Sequence, residues 1–539
     1  MECGVDFGTT YSTVCFEAKE EGGCVPIAGS VFVPTVVFLT YDKSSYYIGR
    51  RAVSEFQRRN DGDLFINLKR WVGCYRANMP EFVRKIRPEY SVRPIGDYGM
   101  EIAGVRNGSS FYIPVIDLIV LFLRGLIVET ERYTGRNATG FVCSVPADYN
   151  SFKRSFLAVA LKDVGKPLRA LINEPTAAAL ANLVLLKMMD DNVGVFDFGG
   201  GTFDVSFLHS VGNYFSVLYS IGDNNLGGRD VDSAFTDFIV DKFRLRENRN
   251  VFPTVVQNLK EELSSNEKTD VYVVRLGNGE YKMTLSPSDL ERVATPFIDK
   301  AVELFTKGLE FLDWPDLAVI LTGGSSALPG LKERLERVRG VKIVHRHEHI
   351  FRVSVAIGSK IYSDMLIEGS QFALLDTCTH SLSDELTGFV PKVMFEKGCP
   401  IPNTKSTTYD LEGATMNYGV FEGENPRTWL NEMTFKGVDR RPSTAKGFDK
   451  ATFTLSVDGR LSVDINGRRL VNVMVPPSSE SSTSSAKYLD GTERDVAEFT
   501  ALYSKCLSSL GIAIISPEEI IAGSENFASL GINNKFKLL

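Results

Sequence analysis

The 539-residue chain contains no GxxxxGK[ST] loop, so nucleotide phosphates could be held here only by some other device. Two DFG triplets occur, at Asp6 and Asp197, but no HRD or VAIK segment accompanies them, which excludes the protein-kinase arrangement. The eight cysteines include no CxxC and no paired spacing. Free thiols in a reducing compartment are therefore expected rather than a disulfide framework. Cys3 and Cys15 read as small core residues. A formal net charge of -7 lacks the basic excess of a dedicated nucleic-acid binder, though it leaves room for a local patch. No apolar run reaches the roughly 20 residues of a spanning helix. The nearest, Val115 to Val128, is broken by Asp117 and Arg124 and reads as a buried amphipathic helix. No signal peptide is expected, because Asp6 falls inside what would be its leader, and a cytosolic chain follows. In such a chain the glycosylation patterns at Asn107 and Asn137 are accidents. At 43% hydrophobic, the sequence has ample apolar content for several packed domains.

What is present is a pattern stated twice. Asp6-Phe7-Gly8-Thr9-Thr10 and Asp197-Phe198-Gly199-Gly200-Gly201-Thr202-Phe203-Asp204 each place a carboxylate at the end of an apolar strand, before a glycine and hydroxyl turn. Tyr11 to Phe16 and Val205 to Leu208 follow as strands, so each unit reads as a hairpin. Glycines let backbone N–H groups close on phosphate oxygens, and the aspartates would face a magnesium ion that keeps several of its waters. Paired hairpins of this kind suggest a duplicated α/β fold closing on nucleotide from both sides. A third element supports them: the apolar run Leu317 to Leu321, then Thr322-Gly323-Gly324-Ser325, then a helix from Leu328 or Pro329, a turn that suits a base or ribose.

These segments resemble the seventy-kilodalton heat-shock chaperone family, within the actin and sugar-kinase superfamily. The residues that carry the likeness are DFGTTYST at 6 to 13, NLKRWVG at 67 to 73, SVPADYN at 144 to 150, INEPTAAALA at 172 to 181, DFGGGTFDVS at 197 to 206 and LGGRDVD at 226 to 232. INEPTAAALA is the most specific, since ordinary sugar kinases lack it. The chain is most similar to the closterovirus homologues, which are shorter than cellular chaperones. The resemblance implies an actin-like duplicated ribonuclease-H-type nucleotide-binding domain at 1–367, a linker at 368–376 and a small β-sandwich for substrate or partner at 377–475. It also implies ATP or ADP with magnesium as ligands. Asp6 and Asp197 would orient the metal through water. Gly8, Thr9, Thr10, Tyr11, Gly199, Gly200, Gly201, Thr202, Gly227 and Gly228 would line the nucleotide. Lys69, Glu174, Asp204, Asp197 and Thr202 would carry hydrolysis. Lys260, Ser264, Gly323, Gly324 and Ser325 fit the family's base side. Glu261, Ala327 and Arg352 depart from it, standing where the family has two stacking arginines and an acid. Weaker, less discriminating nucleotide binding is the expected result. Pro146 and Arg154 match positions that couple nucleotide state to the linker, where Leu374 and Leu375 belong to an apolar strip.

Beyond the linker the signals turn to β. Phe453 to Val457 and Leu461 to Ile465 alternate around Asp458-Gly459-Arg460, and strands are expected at Tyr418 to Phe421 and Met433 to Phe435. Pro476 to Ser485 reads as a serine-rich tether. A short helical tail at 486–539 follows, with apolar spacing from Val496 to Leu510 and a capping box from Ser516 to Glu519. His345, His347 and His349 alternate, yet a solvated loop is the better reading than a metal site, because no further ligand accompanies them. The expected function is a chaperone-like viral ATPase of virion assembly and cell-to-cell movement, in host cytoplasm, virions and plasmodesmata. Coat proteins or exposed peptides would be its partners, with co-chaperones and, indirectly, virion RNA. A general folding chaperone, a small-molecule kinase and a structural virion component with little turnover are the alternatives.

Overall fold

The computed structural model describes residues 1–475 apart from 20–21, 107–109, 186–191, 213, 245–252, 266–269, 277–278, 313, 315, 368–372, 387–389, 411–414 and 441–446. The serine-rich stretch and both tail helices expected from sequence lie outside the described residues, as does Phe372.

Both DFG segments form antiparallel hairpins. Glu2–Asp6 pairs with Tyr11–Cys15, and Asn192–Phe198 pairs with Phe203–Val211. Each first strand also lies parallel to a later strand, Gly140–Val145 in one case and Leu317–Thr322 in the other, and each of these carries a further parallel neighbour, Leu168–Asn173 or Val341–His345. The same local plan thus recurs in two sheets. Parallel strands must be covered on both faces, which explains the fully buried pattern of Gly140–Val145 and Leu317–Thr322.

Two helices fill the space between the sheets. Glu174–Leu185 begins within INEPTAAALA, and Ala177, Ala178, Ala179 and Ala181 are all fully buried against Ser354–Met365 and strands of both sheets. Only small side chains permit so close a crossing. At Gly358 a Cβ would sit 1.7 Å from the carbonyl oxygen of Ala177. The expected buried helix is Val115–Thr134, and no helix among the described residues is long and apolar enough to cross a membrane.

One expectation shifts. The helix foreseen from Leu328 or Pro329 starts at Leu331, preceded by a 3-10 turn at Gly324–Ala327, because Gly330 adopts φ +81° and separates the two. Of the alternating histidines, His345 ends a strand and its ring stacks on that of His347, 5.6 Å between centroids. Among the described residues no group of three His, Cys, Asp or Glu could hold a metal directly.

The strip at the expected linker is itself a strand. Ala373–Thr377 runs parallel to Tyr214–Asp223, with Leu374 opposite Phe215 and Leu375 opposite Ser216, and then pairs antiparallel with Pro400–Ile401. A solvated apolar strip costs free energy, and pairing on this edge removes it from water. Beyond it, two four-stranded sheets enclose Leu382, Phe395, Val420, Phe435, Phe453 and Val463. The Phe448–Leu455 and Leu461–Ile465 hairpin lies where alternation placed it.

These sheets rest on the N-terminus of the helix Ser151–Lys162. Glu422 accepts the Ser151 N–H at 2.8 Å, and the Thr434 hydroxyl accepts the Phe152 N–H at 2.7 Å. Two of the four N–H groups that a helix start leaves without intrahelical partners are thereby satisfied from another part of the chain.

Candidate nucleotide site

A cleft of ≈ 930 Å³ opens between the two sheets, and its floor is the pair of hairpin turns. In the first turn Gly8 N–H donates to the Ser12 hydroxyl at 3.2 Å, while Thr35 Oγ1 donates to the Gly8 carbonyl at 2.8 Å. In the second, Gly199 N–H donates to Thr202 O at 3.0 Å, and the Gly199 carbonyl accepts from Gly228 N–H at 3.0 Å and Ser325 Oγ at 2.8 Å. Three segments far apart in sequence are thus tied together at the Gly199 carbonyl, two through backbone and one through the Ser325 hydroxyl. At Gly227 a Cβ would lie 2.5 Å from Gly201 Cα, so no side chain fits there.

Asp6, Lys69, Glu174 and Asp197 face one another at the inner end. Lys69, on the 3-10 turn Leu68–Trp71, is 3% exposed and ion-paired with Glu174. Burial opposes its charge, but the carboxylates of Glu174 and Asp6 outweigh that and raise its pKa. Desolvation and the charge of Glu174 push Asp6 up to about 7. Asp197 rises well above the carboxylate range for the same two reasons, and Asp204 does so through burial and the neighbouring Asp148. A single ammonium cannot satisfy this many buried acids. A hydrated divalent cation beside this set would restore the charged forms.

Every residue expected to contact nucleotide is drawn to this cleft. Gly8, Thr9, Thr10, Tyr11, Gly199, Gly200, Thr202, Gly228, Lys260, Ser264, Gly323, Gly324 and Ser325 line it, with Gly201 and Gly227 packed directly behind. Asp204 sits behind the turn, accepting the Asp148 N–H at 3.3 Å. Lys260 donates to Gly228 O at 2.9 Å and pairs with Asp232 at 2.8 Å.

The base end holds the residues expected to depart from the family. Glu261, Ala327 and Arg352 do line it, but a guanidinium is not missing. Arg352 lies 4.2 Å from the centroid of Phe32 and 3.8 Å from Glu261, and Gln257 donates to Tyr11 Oη at 3.1 Å and to Glu261 at 3.0 Å. The charge therefore stands on Arg352, where the resemblance implies an acid, and an aromatic ring occupies its face. Phe32 and Gln257 carry no motif, so only the folded chain could reveal them.

Pro146 and Arg154 lie outside the cleft, at the seam with the β-sandwich. Tyr149 N–H donates to Pro146 O at 3.1 Å. Arg154, 5% exposed, donates to Tyr149 O, Ala147 O, Asn173 Oδ1 and, across the seam, Asp458 O at 3.2 Å. Asn173 in turn donates to Asp376 at 2.9 Å. The residue after Asn173 is Glu174, so one short path joins the linker strand to the acid cluster.

Comparison with known proteins adds the following. The family model described as Hsp70 protein matches residues 2–486. The movement protein Hsp70h of Grapevine leafroll-associated virus 3 is 40% identical over 537 residues, 99% of this chain and 98% of that protein. The movement protein Hsp70h of Beet yellows virus is 32% identical over 452 residues, 80% and 75% of the two chains. The chaperone protein dnaK of Thalassiosira pseudonana is 29% identical over 487 residues, 85% and 79%.

Proposed function

Since the chain belongs to the Hsp70 family, we propose that it is a magnesium-dependent ATPase working as a chaperone-like viral protein in cell-to-cell movement and virion assembly. The observation that carries this reading is the convergence of two glycine hairpins on Lys69, Glu174, Asp6 and Asp197 in one cleft. We read the two sheets as halves of an actin-like, ribonuclease-H-type domain at 1–367, followed by a linker at 368–376, a partner-binding sandwich at 377–475, a tether at 476–485 and a helical tail at 486–539.

Phosphoryl transfer to water needs charge neutralisation and a positioned nucleophile. Amides and hydroxyls of Thr9, Thr10, Gly200, Gly201 and Thr202 would hold the β- and γ-phosphates. Lys69 would bring its ammonium to the charge that develops on transfer, and Glu174, released from that ammonium, would orient the attacking water with Asp204. A magnesium ion held through its waters by Asp6 and Asp197 would neutralise phosphate charge. Lys69→Ala is expected to lower turnover by about 100-fold or more while nucleotide binding persists. Equal turnover in mutant and parent overturns the assignment.

The relatives named movement proteins support the cellular role, with coat proteins or exposed peptides as clients, virion RNA reached only indirectly, and host cytoplasm, virions and plasmodesmata as its places. Co-purification with filamentous particles tests it. A structural virion component would also co-purify but would show no ATP turnover.

A further inference from the structure

Arg229, in the Leu226-Gly227-Gly228-Arg229-Asp230-Val231-Asp232 segment, has no part in the site described so far. Its guanidinium reaches from the first turn of the helix Gly228–Phe243 to the opposite hairpin, where Nε donates to Thr10 Oγ1 and Nη2 to Thr9 O, each at 3.1 Å. Its own N–H donates to Gly200 O at 2.9 Å. Arg229 thus stands where both phosphate turns meet.

Its neighbours with positive charge all have carboxylate partners. Lys69 pairs with Glu174, Arg70 with Asp230 at 3.4 Å and Lys260 with Asp232 at 2.8 Å. Arg229 gives both side-chain hydrogen bonds to neutral oxygens, and among the described residues it enters no ion pair. Three costs add up at this position. The half-buried group is desolvated and Arg70 repels it, and the charges of nearby Asp232 and Asp230 offset this only in part, so its pKa is pulled down to about 10. It also sits at a helix N-terminus, where the backbone dipole disfavours a cation. A folded chain carries a locally unfavourable charge where a ligand compensates it. The missing partner must be anionic and must lie at the junction of the two turns.

We propose that Arg229 is a phosphate-binding residue and that this cleft selects its ligand chiefly by the polyphosphate. On binding, the guanidinium exchanges the two neutral oxygens of Thr9 and Thr10 for non-bridging phosphate oxygens, a charge-assisted pairing that arginine makes in bidentate fashion. The ligand class is then nucleoside triphosphates with little regard to base, and inorganic tripolyphosphate competes with them. This rests on the reading of the cleft as a nucleotide site, and it complements a base end whose arginine is already engaged by Phe32 and Glu261.

Calorimetry of the full chain with ATP, GTP, adenosine and sodium tripolyphosphate tests the idea, in the parent, in Arg229→Gln and in Arg229→Lys, with melting temperatures read alongside. Arg229→Gln is expected to weaken ATP, GTP and tripolyphosphate by a similar factor, about 10- to 30-fold, and to leave adenosine unchanged. Arg229→Lys, which keeps the charge, should regain much of the loss and supplies the comparison should the glutamine variant fold poorly. A parent that binds neither nucleotide nor tripolyphosphate overturns the nucleotide reading itself. A parent that binds while Arg229→Gln matches it, or loses ATP but not tripolyphosphate, overturns the role of Arg229 alone, as does a folded Arg229→Lys that loses phosphate affinity by the full factor.

Discussion

The two ends of the cleft are built from different materials. At the phosphate end the turns are set by glycine backbone: a Cβ at Gly227 would lie 2.5 Å from Gly201 Cα, and one at Gly200 or Gly201 would press on the Thr10 or Thr9 side chain of the first hairpin. At the base end the walls are side chains, with Gln257, Glu261 and Arg352 of one lobe against Tyr11 and Phe32 of the other. Main-chain recognition needs an invariant backbone path, so changes in it are not tolerated one at a time. Side-chain recognition can be replaced residue by residue without disturbing the fold. The resemblance accords with that contrast, since its glycine motifs stand at the phosphate end while Glu261, Ala327 and Arg352 depart from what it implies at the base end.

The largest effect expected from the contrast is at Gly227. A methyl there would press on backbone atoms of Gly201 at 2.5 Å, where nothing flexible can yield. Gly227→Ala should push the hairpin turns apart and weaken triphosphate binding by about 100-fold, the equivalent of the roughly 1–3 kcal/mol that overpacking costs. Calorimetry with ATP measures it. Parent-like affinity would mean that the phosphate end is more pliant than its contacts indicate, and the comparison would fail.

The same contrast governs what could be read from sequence. Hairpins at Asp6 and Asp197, the buried strand at Leu317 and the hairpin around Gly459 were legible, because glycine turns and period-two alternation are local signals. Lys69 and Glu174 could be placed only by family likeness, since neither carries a local pattern and they are 105 positions apart. Arg229 lies inside the LGGRDVD segment, but its distinguishing feature, the lack of an ion pair among the described residues, is one that no sequence displays. Glu422 and Thr434 were invisible for a related reason: they cap a helix 271 and 282 residues earlier in the chain, at Ser151 and Phe152.

A second test asks whether the phosphate end answers to the linker. Leu374 and Leu375 lie on the strand Ala373–Thr377, and Asn173, the residue preceding Glu174, donates to Asp376. Leu374→Asp would bring a charge to a half-buried edge and should free the strand from Tyr214–Asp223. Cleavage around residue 370 is expected to accelerate by about 10-fold and to stop responding to ATP, in keeping with a loss of about 1.4 kcal/mol of local stability. The base end shares no such path, so ATP and GTP should remain equally discriminated in the variant. Protection that is independent of nucleotide in the parent would refute the coupling.

A third test exploits the acids. Folded Asp6 has its pKa raised from 3.8 to about 7. The stability it contributes is present below the unfolded value and is lost as pH rises through about 7. Nucleotide-free protein should therefore melt lower above pH 7 than below it, and Asp6→Asn should flatten part of that slope and raise the melting temperature on the alkaline side by about 2 °C or more. Thermal melts of both proteins across that range decide it. A parent whose stability rises through the window would show that the phosphate end does not store this electrostatic cost.

The smallest effect, and the sharpest on the base end, comes from restoring what is missing. Ala327 is small, lines the cleft and follows the turn Gly323-Gly324-Ser325, at a position where the resemblance implies a stacking arginine. An arginine there would lay a guanidinium plane beside a bound purine, whereas Arg352 is engaged by Phe32 at 4.2 Å. Ala327→Arg should tighten ATP binding by about 5-fold, the worth of roughly 1 kcal/mol of cation–π contact, and should leave tripolyphosphate unchanged because the new group never reaches the phosphates. Calorimetry with both ligands separates the two ends of the cleft in one experiment. Equal gains for ATP and tripolyphosphate would mean that the added charge acts through the field of the whole cleft, and the division between a main-chain phosphate end and a side-chain base end would have to be given up.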